Sequence, residues 1–456
     1  DRTQFTERSG LRVEGLTGLA HVSPSGVVVE GMDLRTPMSR ARGELKLQSQ
    51  GWADFSDFTT NVQLRADFDS SLVDMADIAW FAPELEGIRF PMTVRGRVRG
   101  TVSELKGRDL RIGFGQGSWF EGSAELSGLP DIAETFMLID VEDMHAALAD
   151  LKQVPMPPFT SGTTLQLPPE ADLLGDVDVR GRFTGFLRSY TATGRASTAL
   201  GVLRTDVSYN RDTITQHRSI NGRMATEGFR LGPLLGTSVI GPLTANVHLK
   251  AKGRALRDME VDLEGDFPLF TINNRAIGGI HAKGHLARNL FDGELEADDP
   301  NLHLRFSGLA DFRGRWPKVD FTAKLHNADL YHLGFVTEPG YSSLSLDAAV
   351  RGRLSPDSLL GDLHLKGITY CRGDDEFDLG DVHLSSDRRD GENLLRLDAS
   401  FAEAEVIGPF LPTKLPAALG HVLRSVFPSL LGTVSYQQDE QRFRFNARLR
   451  DTKEVL

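Results

Sequence analysis

Cysteine and long apolar runs are the two features that this sequence most clearly lacks. Among 456 residues there is one cysteine, Cys371, so neither an internal disulfide nor a cysteine-ligated metal cluster can form. The redox compartment stays open, because oxidising compartments also hold cysteine-poor proteins. No apolar run approaches the ~20 residues that cross a bilayer, and the nearest candidate, 231–243, is interrupted by glycine and proline.

A basic excess is missing as well, and polar aromatic residues are scarce. The formal net charge of -12 argues against a nucleic-acid partner, because phosphate binding needs a basic surface and the arginines here are interleaved with acids. Phenylalanine (26) far outnumbers tyrosine (6) and tryptophan (4). Such rings belong in water-free surroundings, and the composition leaves a protein core and contact with lipid as equal alternatives.

Recognisable catalytic motifs are also missing. The sequence has no nucleophile elbow, Walker loop, zincin helix or EF-hand loop, so we expect no enzyme activity, no catalytic residue, no metal site and no cofactor. Residues 113–117 resemble a phosphate loop only loosely, because no helix-forming segment follows, and a glycine-rich turn is favoured. The acidic run 374–381 lacks the spacing of a calcium loop and is interpreted as a solvated hairpin end. His281 and His285 lie four apart in a strand, too widely spaced to share a metal easily.

The sequence does contain one short unit that appears four times. Val94-Arg95-Gly96-Arg97-Val98 returns in related form at 179–183, 251–255 and 350–354. In all four copies apolar residues or glycine occupy one parity and basic residues the other, which is the two-residue period of a strand with one sheltered and one solvated face. An enzyme seldom repeats its chemistry four times, whereas a scaffold repeats its building unit.

Each copy has a glycine at its centre, on the apolar parity: Gly96, Gly181, Gly253 and Gly352. A glycine inside a strand usually costs stability, so its return at one register indicates a bend, a bulge or the close approach of another group. A strongly curved sheet rolled into an open trough needs such positions, and a flat sandwich whose second sheet approaches closely is the competing explanation. We therefore predict an all-β fold built on an elongated, strongly curved sheet, with a few short helices.

Helices and loops are predicted to interrupt this sheet at a few places. A short helix is expected to start at Ser70 or Ser71 and to stop before Pro83. The proline-rich segment 155–169 is interpreted as a loop between strands rather than a domain linker. From 415 to 431 apolar residues follow helical spacing, and this segment either covers one end or face of the sheet or docks on a membrane surface.

The predicted organisation has three parts. Residues 1–408 form an elongated repeat β-groove, residues 409–432 form a helical segment that packs on the groove or caps it, and residues 433–456 continue the β-sheet. Because the chain begins at Asp1 without methionine and stops shortly after a strand, we expect it to be a piece of a longer protein.

The fourth copy continues into a longer pattern. Val350-Arg351-Gly352-Arg353-Leu354-Ser355-Pro356 is followed by Leu360-Gly361-Asp362-Leu363-His364-Leu365-Lys366-Gly367, and together they resemble the recurring hairpin unit of the AsmA-like family. Leu126-Ser127-Gly128-Leu129 and Phe306-Ser307-Gly308-Leu309 are similar to units of the same family. The resemblance extends over most of the chain.

The resemblance implies a taco-shaped β-sheet that forms a groove with a hydrophobic interior. It implies a periplasmic protein, anchored in the inner membrane through a segment outside this chain. It also implies an outer-membrane barrel partner of the TamA type, bound through regions outside this chain. Members of the family are associated with phospholipid movement between the inner and outer membranes and with outer-membrane protein assembly.

The first hypothesis is therefore a periplasmic bridge whose hydrophobic groove carries phospholipid acyl chains. The hydrophobic effect gives a non-directional affinity of about 0.8 kcal/mol per buried methylene, so such a groove needs no polar site and no cofactor. The candidates for lining the groove are apolar residues on one parity of the repeated strands and their neighbours: Val94, Val98, Val179, Phe183, Leu304, Phe306, Phe321, Val350, Leu354, Leu363 and Leu365.

Two hypotheses from other classes stay open. In one, open sheet edges receive strands of nascent outer-membrane proteins by β-augmentation, and the chain is a chaperone-like binding module. In the other, the chain is a structural array of β-sandwiches with a closed core.

Overall fold

The computed structural model describes two compact units, Asp1–Thr237 and Ser238–Leu456. Both are built from antiparallel strands that follow one another along the chain. The described residues are 3–6, 12–80, 85–156, 159–167, 169–255, 258–314, 316–336, 340–354, 359–411, 414–415, 417–420 and 441–450.

The first unit is an antiparallel sheet in which each strand pairs with the strands before and after it in the sequence. Its strands are β1 (Thr3–Thr6), β2 (Arg12–Ser23), β3 (Gly26–Arg35), β4 (Arg40–Gln48), β5 (Gln63–Asp74), β6 (Pro91–Gly100), β7 (Glu104–Phe114), β8 (Ser118–Ser127), β9 (Phe136–Ala146), β10 (Val177–Phe186), β11 (Ser189–Thr198), β12 (Gly201–Arg211) and β13 (Arg218–Arg230). Its short α-helices are α1 (Phe58–Asn61), α2 (Met75–Ile78), α3 (Leu148–Leu151) and α4 (Leu231–Leu235).

The second unit has the same sequential pairing. Its strands are β14 (Ile240–Gly253), β15 (Glu260–Ile272), β16 (Arg275–Ala287), β17 (Leu290–Asp299), β18 (Leu302–Asp311), β19 (Lys318–Asp329), β20 (Ser342–Leu354), β21 (Leu359–Arg372), β22 (Asp375–Arg389), β23 (Glu392–Ala399), β24 (Ala402–Gly408) and β25 (Arg444–Leu449). The helix α5 (Leu330–Leu333) follows β19.

Tight turns join most of these strands. Between β15 and β16, Asn273 and Asn274 both have positive φ, 48° and 62°, which is the geometry of the two-residue hairpin turn whose twist matches that of the strands. No described pairing joins the first strand of a unit to its last strand, so the sheet is open within each unit. The predicted all-β fold with a few short helices is confirmed.

The predicted start of the first helix is wrong. Strand β5 continues through Ser71 to Asp74, and α2 begins only at Met75, where the Asp74 side chain accepts a hydrogen bond from the Ala76 N–H at 2.9 Å. Ser71 is buried, and its hydroxyl accepts from the Arg42 N–H (2.8 Å) and donates to the Arg42 carbonyl (3.1 Å). Those bonds commit Ser71 to the sheet, so it does not cap a helix. Pro83 lies outside the described residues.

The proline-rich segment lies between two paired strands. Val177 of β10 pairs with Ala146 of β9, so the segment connects neighbours in one sheet, as its interpretation as a loop predicted. Near the end of the chain, Leu415 and residues 417–420 are helical, and the Ala418 N–H donates to the Lys414 carbonyl at 3.1 Å.

The rest of the predicted helix, residues 421–431, lies outside the described residues. Beyond it, β25 pairs with β24. Within the described part of the chain, no helix has the length and apolar content needed to cross a bilayer.

The four repeated glycines lie where neighbouring backbone comes close. A Cβ at Gly96 would lie 2.5 Å from the Asp109 carbonyl oxygen, and one at Gly352 would lie 2.9 Å from that of Leu360; Gly181 and Gly253 have similarly close backbone neighbours. The register also shifts at Gly96 and Gly181, as it does at a β-bulge. The contacts come from the adjacent segment of the same sheet, so they confirm close approach and do not require the second sheet of a sandwich.

We expect Gly96→Ala to reduce the free energy of unfolding by about 1–3 kcal/mol, because Gly96 has φ +126° and no room for a Cβ. Equilibrium unfolding in urea measures the change. Gly51→Ala is the matched control, since φ there is -178° and a Cβ meets nothing within 4 Å; its effect should stay within roughly 0.5 kcal/mol. Equal stability of the two variants would contradict this account of Gly96.

Candidate functional site

One face of the sheet in the first unit carries an unbroken apolar row across β2 to β13. Each member is the direct cross-strand partner of the next, so the side chains form a continuous surface. This first central row consists of Ala20, Val29, Leu45, Ala66, Val98, Gly107, Ala124, Ile139, Phe183, Ala192, Val207 and Gly222.

The second unit has an equivalent row across β14 to β25. Register pairing again connects every member to the next, and every position is apolar or glycine. This second central row consists of Leu249, Leu263, Gly284, Gly293, Gly308, Phe321, Val350, Leu363, Leu384, Leu397, Ala404 and Ala447.

The central rows contain five of the residues proposed from the sequence to line a groove. Val98 and Phe183 belong to the first central row, and Phe321, Val350 and Leu363 belong to the second. Alternation along single strands therefore identified side chains that the register brings together across many strands.

Most of the other candidates lie on the same faces, in rows beside the central ones. Val94 and Val179 share one such row in the first unit, connected through Ile112, Phe120 and Met144.

In the second unit Phe306 and Leu365 share a row through Ala323 and Ala348. Leu354 is at the end of β20 opposite Leu359, and its side chain lies outside the described residues.

The described residues of the chain cover the central rows incompletely. In the second central row every member is partly exposed or exposed, and in the first only Val29, Ala66 and Gly107 are buried. A closed protein core would bury side chains of this kind almost completely. The two rows are therefore apolar surfaces that remain accessible within each unit.

Buried apolar residues also gather in small clusters outside the central rows. Leu304, another candidate, packs with Ala297 and Ala328 in a cluster that also includes Leu333 of α5, so a helix partly covers it. Leu415 of the helical segment near the chain end packs on Val406 of β24. The described start of that segment thus covers part of the sheet face around Val406.

Two runs of aromatic rings lie on the apolar faces. Phe183 and Tyr190 have ring centroids 4.7 Å apart, and Tyr190 stacks on Tyr209 at 4.9 Å. Burial, and secondarily the neighbouring Tyr209, raises the pKa of the Tyr190 hydroxyl. In the second unit Phe306 lies 5.1 Å from Phe321 and 5.8 Å from Phe291.

Tyr190, Tyr209 and Phe291 also belong to these runs, and they are not among the candidates predicted from the sequence. All three lie on the apolar parity of their strands, so alternation applied beyond the four repeats could have found them.

The opposite faces carry charged residues in cross-strand pairs. Arg180 forms two hydrogen bonds of 3.1 Å with Asp143, and this contact lowers the pKa of the Asp143 carboxyl. Arg182 pairs with Asp140 at 2.5 Å, and Arg351 pairs with Asp320 at 3.2 Å. Exposed pairs of this kind contribute little stability, but they mark the face that contacts water.

The glycine-rich turn that loosely resembles a phosphate loop binds a carboxylate of the chain itself. Asp150, from α3, accepts hydrogen bonds from the N–H groups of Gln116 (3.0 Å), Gly117 (3.2 Å) and Ser118 (3.1 Å), and from the Ser118 hydroxyl (2.7 Å). These bonds, the one from Gln116 foremost, lower the pKa of Asp150. Because the donors are already used, the turn fixes α3 to the hairpin of β7 and β8.

The remaining sequence candidates stay apart from the apolar faces. Residues 374–381 form the exposed end of the hairpin of β21 and β22, where Asp378 and Asp381 each accept a backbone N–H at 2.9 Å. His281 and His285 each pair with a carboxylate across the strand, Asp266 and Asp262 respectively, at 2.8 Å.

No family model, no curated protein and no solved structure gives a significant match to this chain. The case for a function therefore comes from the two faces of each sheet. One face has a continuous, incompletely covered apolar surface, and the other has paired charges.

Asp150→Asn should lower the melting temperature by roughly 2–8 °C at pH 7. The amide NH₂ of asparagine is a donor, and the backbone N–H groups and the Ser118 hydroxyl that surround Asp150 are donors as well. The folded pKa of Asp150 is lowered from 3.8. The stabilisation is therefore fully present above that value and is lost as the pH falls through the folded pKa. The gap between variant and wild type should shrink below pH 3.8, as thermal unfolding followed by circular dichroism would measure.

Asp374→Asn serves as the control, since Asp374 is at the exposed hairpin end. A gap for Asp150→Asn that does not change between neutral and acidic pH would contradict the role assigned to the carboxylate.

Proposed function

We propose that this chain binds phospholipid acyl chains along the apolar face of the sheet in each of its two units and takes part in moving phospholipid between the inner and outer membranes. The observation that carries the proposal is the second central row, in which twelve successive strands present apolar residues or glycine and none of these residues is buried. Water-exposed apolar surface of this extent is unfavourable, and contiguous patches of this kind mark sites of interaction.

An acyl chain suits this surface for a physical reason. Each buried methylene contributes about 0.8 kcal/mol without any directional requirement, so affinity is spread along the row and no polar residue has to fix the ligand. The flat rings of Phe306 and Phe321 on this face offer large apolar contact areas to such a chain. The charged pairs on the opposite face keep that side in water.

The same proposal includes membership of the AsmA-like family, in its translocation and assembly module branch. Its support is the hairpin unit at 350–367, which corresponds in the structure to β20 and β21 paired across Val350 and Leu363. The proposal places the chain in the periplasm and gives it an outer-membrane partner of the TamA type, with the membrane anchor and the partner-binding regions outside the chain.

The proposal predicts that a charge on the apolar face blocks lipid and that the same charge on the other face does not. Ala192→Asp places a carboxylate in the first central row, and Thr193→Asp places it one residue along β11 on the exposed polar face. In the second unit the matched pair is Ala323→Asp and Thr322→Asp on β19. Each apolar-face variant should weaken binding at least about tenfold, because a buried carboxylate without a partner is costly.

Binding is measured by displacement of a fluorescent fatty acid, and co-purified phospholipid is quantified by mass spectrometry of solvent extracts. Circular dichroism shows whether the sheets are retained. Equal lipid content in folded Ala192→Asp and folded Thr193→Asp would contradict the proposal. If instead unfolded outer-membrane protein crosslinks to strand edges while lipid is unaffected, the β-augmentation hypothesis replaces it.

A further inference from the structure

Three metal-ligating side chains meet on the polar face of the second unit, opposite the apolar surface. His364 of β21 and His383 of β22 are direct cross-strand partners. Their rings stack with centroids 3.8 Å apart and planes 16° apart. Asp362, two residues before His364 and on the same face, has its Oδ1 3.4 Å from Nε2 of His383. One ligand atom from each side chain lies within 4.8 Å of the other two.

The donor set and its spacing suit a borderline transition metal ion. Zn²⁺ binds imidazole nitrogen and carboxylate oxygen at about 2.0–2.2 Å, and a tetrahedral site therefore separates its ligand atoms by roughly 3.4 Å. Ligand atoms that lie within 4.8 Å of one another are close to that separation, and side-chain rotation can bring them closer. Both histidines are half-buried and Asp362 is exposed, so a fourth position remains for water.

The pairing at His383 differs from the other histidine–aspartate pairs on the strands. His281, His285 and His303 each contact one carboxylate at 2.7–2.8 Å. His383 lies farther from its carboxylate, with 3.4 Å between its Nε2 and the Oδ1 of Asp362. The imidazole of His364 also stacks on the ring of His383. Within the described residues this is the group in which three potential ligands converge.

We propose that Asp362, His364 and His383 form a binding site for a divalent transition metal, with Zn²⁺ as the best match. Asp398 of β23 lies opposite His383 in the register and already accepts a hydrogen bond from Arg450 at 2.7 Å; its carboxylate has further acceptor capacity for the remaining N–H of a metal-bound imidazole. The site connects β21 to β22 on the water-facing side of the sheet, and it involves no residue of the apolar face.

The test is isothermal titration of the whole, tag-free chain with Zn²⁺, with His364→Gln, His383→Gln and the control His285→Gln. The control removes a histidine of the same unit that also pairs with an aspartate but has no second histidine partner. Each ligand variant should weaken Zn²⁺ binding roughly 100-fold. Loss of an outer-shell partner weakens metal binding about 10–100-fold, and loss of a direct ligand should weaken it at least as much. His285→Gln should leave it within about twofold.

Titration with Co²⁺ provides a second readout, because its visible absorption reports the number and type of ligands. Wild type should show the bands of a nitrogen-containing site of low coordination number, and His364→Gln should lose them. Circular dichroism establishes that the variants are folded. Binding to wild type no tighter than to the doubly substituted His364→Gln, His383→Gln protein, or an equal loss in His285→Gln, would overturn the proposal.

Discussion

Backbone pairing between adjacent strands is the constraint on which the structure of both units depends. Paired strands lie about 4.7–4.9 Å apart, and at several glycines the neighbouring backbone leaves no room for a side chain: a Cβ on Gly181, for example, would lie 2.7 Å from the Cα of Gly194. The same pairing assigns alternate residues to opposite faces, and a slip of one residue would exchange them. The position of the glycines and the separation of apolar from charged side chains are thus set by one register.

This dependence explains what the sequence could and could not predict. The face of Val98 or Phe183 follows from its immediate neighbours, so the two-residue period sufficed, and the all-β class followed from many such stretches. The start of α2 was missed because the role of Ser71 is decided by Arg42, 29 residues away in the sequence. The meeting of His364 with His383 was missed for the same reason, since a hairpin register brings the two together.

The distribution of burial within each unit gives the apolar faces their significance. Fully buried residues such as Phe410 and Leu415 gather in small clusters with helices and loops, whereas the second central row is partly exposed throughout. Covering apolar surface stabilises by about 25 cal/mol per Å², so an apolar ligand that covers this partly exposed row gains affinity from it. A flexible apolar chain can occupy a row that crosses many strands without matching any single pocket.

The two proposed sites use the same backbone without interfering with each other. Along β21, Asp362 and His364 alternate with Leu363 and Leu365, so the metal ligands and the apolar residues point to opposite faces. An ion bound by His364 and His383 would restrain the spacing of β21 and β22, and with it the separation of Leu363 and Leu384, which are partners in the same pairing. The ion would therefore stiffen this part of the apolar face while leaving its chemistry unchanged, because its charge stays on the side of the sheet that contacts water.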